Sequence, residues 1–157
     1  MTTELIIEYC IYFIIIVIGI LILCLMRRKN RLPNHHELKT RLEAWRQQLN
    51  DLAVLNENKP LSNFDFYKKL SKLLFQLDKL AYQTALMAEK ERDMEISEIS
   101  LILEGVLNAL EPYKSGKKQN DGENAALRAA SENVVRAIKL TEQILLRDKA
   151  YKARKKI

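Results

Sequence analysis

The chain has 157 residues, with 26 Lys and Arg against 20 Asp and Glu, a formal net charge of +6, and only four Gly, three Pro and two Cys. Few turn formers and abundant Leu, Ala, Glu, Lys and Gln favour helix throughout. About 120 residues outside the apolar N-terminus can bury one modest core but not two. Cys10 and Cys24 are the only cysteines, which excludes a disulfide framework and a thiolate metal site.

Residues Leu5 to Met26 read LIIEYCIYFIIIVIGILILCLM, with Glu8 the one charge inside. As a helix this stretch reaches roughly 33 Å, enough for a hydrocarbon core of about 30 Å. A single-pass membrane anchor is therefore expected over 1–32. It lacks the positive n-region and small-residue cleavage site of a signal peptide, so it is expected to remain uncleaved. Arg27, Arg28, Lys29 and Arg31 follow at once, whereas the N-terminal flank holds Glu4 and no Lys or Arg. Basic flanks stay inside. The expected topology in the cell membrane is N-terminus outside, C-terminal domain cytoplasmic. Cys10 and Cys24 would sit about 21 Å apart on that helix, too far for a disulfide. Cys24 reads as a small apolar residue facing lipid, with acylation the alternative.

The remainder, 33–157, reads as an antiparallel helical bundle of three to four amphipathic helices with coiled-coil-like seams, giving an all-α fold. Pro33 ends the anchor, and Asn34 with Glu37 forms a capping box. Leu38, Leu42, Trp45, Leu49 and Leu52 then recur at 4-3-4-3 spacing, an apolar seam on a helix of about 34–57. Asn56 to Pro60 is a turn by composition. A second helix, about 62–91, carries Phe66, Leu70, Leu73, Leu77, Leu80, Thr84 and Met87, with Leu74 and Ala81 widening the stripe. A stripe that wide packs against more than one neighbour. Between Glu91 and Ile96 the phase breaks. Either a tight turn around Arg92 and Asp93 or a single helix with a rotating face fits, and the turn is the preferred reading. The third helix, about 95–113, has its seam at Ile96, Ile99, Leu103, Val106, Leu110 and Tyr113. Lys114 to Gly122 is a polar, glycine-containing flexible loop. The last helix, about 123–152, carries Leu127, Ala130, Val134, Ala137 or Ile138, Thr141, Leu145 and Asp148 on its seam.

No catalytic, cofactor or metal constellation emerges. His35 and His36 are the only histidines, with Lys39 and Thr40 one turn on, and zinc needs three or four ligands. They read as a solvated first turn. Gly116-Lys117 lacks the first glycine, the Ser or Thr and the strand of a phosphate-binding loop. Glu89, Glu91, Asp93, Glu95 and Glu98 fan round helices rather than converge. Six bases in the last eleven residues, Arg147, Lys149, Lys152, Arg154, Lys155 and Lys156, complement the helix dipole or meet anionic lipid headgroups. Nucleic acid is disfavoured, since Tyr151 alone gives no stacking platform.

The expected function is a non-enzymatic membrane-anchored interaction or adaptor module, a subunit of a membrane-associated complex. Its expected contact is a helical protein partner, or a second copy, at the Leu38, Leu42, Trp45, Leu49 and Leu52 seam, because the phase break after Glu91 threatens to leave one stripe uncovered. Phage inner-membrane spanins have a similar general plan, a single N-terminal anchor and a helical domain. That reading puts the domain outside the cytoplasm, against the basic flank. A membrane-tethered nucleic-acid or lipid binder acting through the C-terminus is the remaining alternative.

Overall fold

The computed structural model describes residues 3–29, 31–115 and 122–154. They form five helices, α1 Thr3–Lys29, α2 His35–Asn58, α3 Asn63–Glu91, α4 Met94–Leu110 and α5 Gly122–Arg154, with a 3-10 turn at Glu111–Ser115 and no strand among the described residues. The chain divides into two compact units, Met1–Arg31 and Leu32–Ile157.

The first unit is the single helix α1. Its described side chains are those of Tyr9 and residues 11–23, and all of them except Gly19 are exposed. Among the described residues no helix is long and apolar enough to cross a membrane.

The second unit is an up-and-down bundle of α2 to α5. Local chemistry sets the starts of α2, α3 and α4. Asn34 Oδ1 accepts from the Glu37 N–H at 2.8 Å and caps α2. Ser62 Oγ accepts from the Asp65 N–H at 3.1 Å and caps α3. Each satisfies one of the backbone donors that a helix start leaves unpaired. The phase break is a turn. Arg92 adopts a left-handed conformation at φ 53°, and Asp93 Oδ1 accepts from the Glu95 N–H at 2.8 Å to start α4. Residues 63–110 are therefore two helices.

Cross-helix pairs fix the directions. His35 at the start of α2 meets Glu91 at the end of α3 and Asp148 near the end of α5. Glu57 at the end of α2 holds Arg128 near the start of α5, with oxygen–nitrogen distances of 2.7 to 3.0 Å. Glu98 of α4 pairs with Arg136 of α5. Neighbours are antiparallel, in the ring order α2, α5, α4, α3 expected of short connections. The α2–α3 seam closes this ring most loosely. One apolar core runs through it, from Leu38 to Ile144. Thr84 and Thr141, both fully buried, donate to the carbonyls of Leu80 and Ala137 one turn back, so neither hydroxyl is orphaned.

Three expectations are corrected: the seam of α5, the end of the third helix, and His35, which is no solvated first-turn residue but bridges Glu91 and Asp148. In α5 the core position is Ile144, fully buried, while Leu145 is half-buried. The alternating three- and four-residue steps from Leu127 to Thr141 continue to Ile144, so the seam read at Leu145 takes a four-residue step where the heptad takes three. The third helix ends at Leu110, and Pro112 and Tyr113 belong to the 3-10 turn. Most of the flexible loop expected at 114–122 lies outside the described residues.

His35 joins three helices where the chain enters the bundle. Its Nδ1 is 2.7 Å from Asp148 Oδ2 and its Nε2 2.8 Å from Glu91 Oε2. Burial pulls its pKa down, but the hydrogen bonds to Asp148 and Glu91 and the charges of both carboxylates outweigh this and raise it above 6.5. The unfolded chain has the ordinary value, so the clamp stabilises fully below about pH 6.5 and fades as pH rises through the higher folded value. Thermal melts should show the bundle less stable at pH 8.5 than at pH 6. His35→Gln should flatten that slope. A wild-type slope of opposite sign, unchanged by the substitution, would refute the clamp.

Candidate protein-docking surface

The seam expected to meet a partner is instead the bundle's own core. Leu38, Leu42 and Leu49 are 0% exposed, Trp45 is 3% and Leu52 is 4%. The Trp45 indole N–H donates to the Leu73 carbonyl inside α3 at 3.0 Å. The physical reason lies in the turn at Arg92. Because α4 folds back rather than running on, its seam faces the same core as those of α2, α3 and α5, and no stripe of α2 is left uncovered.

The basic C-terminus is also divided. Arg147 is held by Asp93, and by Glu95 at 3.0 Å as an ion pair without hydrogen-bond geometry. It therefore belongs to the bundle and not to an anion-binding set. Burial pushes the Asp93 carboxyl up, but Arg147 and the Ile96 and Glu95 N–H groups hold it below its ordinary value. Lys149, Lys152 and Arg154 are exposed, and Lys155 and Lys156 lie outside the described residues. In the first unit Arg31 is exposed, and the side chains of Arg27, Arg28 and Lys29 lie outside the described residues.

Besides single residues such as Phe64 and Leu146, the bundle exposes large apolar side chains along the groove between α3 and α4. On α3, Phe75 is 74% and Tyr82 66% exposed, one heptad apart. On α4, Met94 is 88% and Leu101 64% exposed, at the same spacing. These are two outer ridges, opposite the core-facing seams of the same helices. The trough between them has two lobes, of 540 and 480 Å³, which meet at Glu104. Leu74 and Leu107 floor the first and Ala85 and Ala88 the second. Asp78, Glu89 and Glu104 line the trough, all exposed and none in an ion pair among the described residues. Exposed apolar residues scattered singly are normal, whereas four large ones repeating along two adjacent helices make a candidate contact surface. None of these residues stands out in sequence, because they lie off the main seams. The available signals were the seven-residue repeats Phe75–Tyr82 and Met94–Leu101.

Among the described residues no group of three or more His, Cys, Asp or Glu is placed to hold a metal ion, and both ring nitrogens of His35 are occupied by carboxylates. The chain matches no protein-family model, no curated protein and no solved structure.

If the ridges serve contact rather than folding, replacing them should leave stability alone. Phe75→Gln with Leu101→Gln should keep the unfolding free energy within about 0.5 kcal/mol of wild type, as surface substitutions do, and should reduce binding of an apolar fluorescent dye. A loss of several kcal/mol in denaturant titration would instead place these side chains in the core.

Proposed function

We propose that the chain is a non-enzymatic, membrane-anchored adaptor, a subunit of a membrane-associated complex, in which the bundle presents a docking face to a helical protein partner on the cytoplasmic side. The observation that carries this reading is the band of Phe75, Tyr82, Met94 and Leu101, open to solvent on a bundle whose own core is complete without it. The anchor is supported by the sequence of α1. Leu5 to Met26 carries one charge, Glu8, and is followed by four bases in five residues, a pattern that fits a single span and an inside flank. Tethering to a membrane raises the effective concentration of the docking face toward other membrane-bound proteins, which strengthens weak contacts without any new interaction.

The deciding experiment is site-specific photocrosslinking in native membranes. A photoreactive residue at Phe75 or Leu101 should capture the same protein, and one at exposed Arg46 on α2 should not. A cytoplasm-dependent reporter fused after Ile157 should be active. Identical crosslinks from all three positions, or none, would reject the docking face. An inactive reporter would move the bundle outside the cytoplasm and favour the spanin-like plan.

A second reading concerns the basic end. Helix α5 runs past Asp148 to Arg154, presenting Lys149, Lys152 and Arg154 at the end where the chain enters the bundle. This placement favours contact with anionic headgroups, at about 1 kcal/mol per base. The variant Lys149→Glu/Lys152→Glu/Arg154→Glu should then lower cosedimentation of full-length protein, in detergent-free reconstitution, with added phosphatidylserine vesicles. Unchanged cosedimentation would leave these bases with the helix dipole alone.

A further inference from the structure

We propose that the α3–α4 groove receives a basic amphipathic helix of a partner protein. Its Lys and Arg side chains would pair with Asp78 and Glu104, and its apolar edge would lie on Phe75, Tyr82 and Leu101. This rests on the adaptor reading and specifies the chemistry of the partner.

Charge is the first support. Helix α4 contains no Lys or Arg. Elsewhere on α4 its carboxylates are spent within the bundle, Glu95 on Arg147 and Glu98 on Arg136. Glu104, at the junction of the two lobes, and Asp78 facing it across the groove have no such partner among the described residues. Of the bases on the groove margin, Lys114 is taken by Glu111 at 3.3 Å, which leaves Arg92 at one end. Exposed, unpaired carboxylates between apolar ridges complement a helix carrying cations along an apolar stripe. The same carboxylates repel the phosphates of a nucleic acid.

Gly105 is the second support, and it is independent of charge. It lies inside α4, four residues after Leu101, on the outward ridge that borders the groove and not in the lining of either lobe. Glycine in a helix interior destabilises relative to alanine. A Cβ at Gly105 would meet nothing within 4 Å, and its backbone is not left-handed. Nothing among the described residues therefore requires glycine there. A missing side chain on an exposed ridge lets a second helix backbone approach closely, as small residues do at helix–helix contacts. The trough from Ser71 to Glu89 is roughly 27 Å long at 1.5 Å per residue, the length of a helix of about 18 residues.

The test uses full-length protein in mild detergent and two labelled synthetic peptides of about 18 residues, each with a leucine face, one with Lys and one with Glu at the flanking positions. Fluorescence anisotropy should show the Lys peptide binding and weakening as salt rises. The double variant Asp78→Lys/Glu104→Lys should lose at least tenfold in affinity for it and should acquire binding of the Glu peptide, a gain that only a folded protein can show. Gly105→Leu should weaken the Lys peptide several-fold while its thermal midpoint does not fall. Equal binding of both peptides, indifference to the charge reversal, or an unaffected Gly105→Leu would overturn the proposal. So would self-association that the charge reversal abolishes, which would make the occupant a second copy. A partner crosslinked through Phe75 by a neutral or acidic segment would leave the adaptor reading standing and remove this one.

Discussion

Between Glu91 and Met94 the chain reverses direction in two residues, and the bundle depends on how Arg92 and Asp93 accomplish it. Arg92 takes the left-handed conformation that ends a helix, although glycine would adopt it with less strain. Asp93 then divides its carboxylate. One oxygen caps α4 through the Glu95 N–H, and the other pairs with Arg147 of α5. A single side chain thus starts one helix and fastens it to another. Without the reversal, residues 63–110 would form one rod of roughly 70 Å, its buried face would rotate midway, and the chain would not return α5 to cover α2.

Both ends of the bundle are held by polar side-chain contacts. At one end His35, Glu91 and Asp148 join α2, α3 and α5, beside the pairing of Asp93 and Glu95 with Arg147. At the other, Glu57 and Asn56 tie the end of α2 to Arg128 and Asn124 of α5. Between them the core is apolar, and Trp45 spans the loosest seam by bonding to the Leu73 carbonyl. Polar contacts at the ends set direction and register, while burial in the middle supplies the stabilisation.

Much of this was legible in the residues, and the exceptions have physical causes. The all-α character followed from composition, and the Asn34 cap from its spacing to Glu37. The seams followed from periodicity, which reports burial wherever helices lie against one core. Periodicity does not report which neighbour does the burying. That is why the Trp45 seam read as a docking face and proved to be interior. Histidine was misjudged for a similar reason. His35 has no local partners, and those it has are distant by 56 and 113 residues. The α3–α4 groove was illegible because its apolar residues interrupt polar faces instead of forming a seam, and only the fold lays α3 against α4 so that Phe75 and Leu101 border two lobes of one trough.

With four antiparallel helices, α2 begins and α5 ends at the same end of the bundle, and those two helices are also the pair in most extensive contact. Tension applied between the two ends of this unit therefore does not shear the bundle along its axis. It peels α2 from α5 one turn at a time, beginning at the His35–Asp148 bond and reaching the Glu57–Arg128 pair last. Each increment of force meets only the contacts of the turn being opened, so the unit is mechanically compliant along that line. The same contacts, broken together by heat or denaturant, act as one cooperative core.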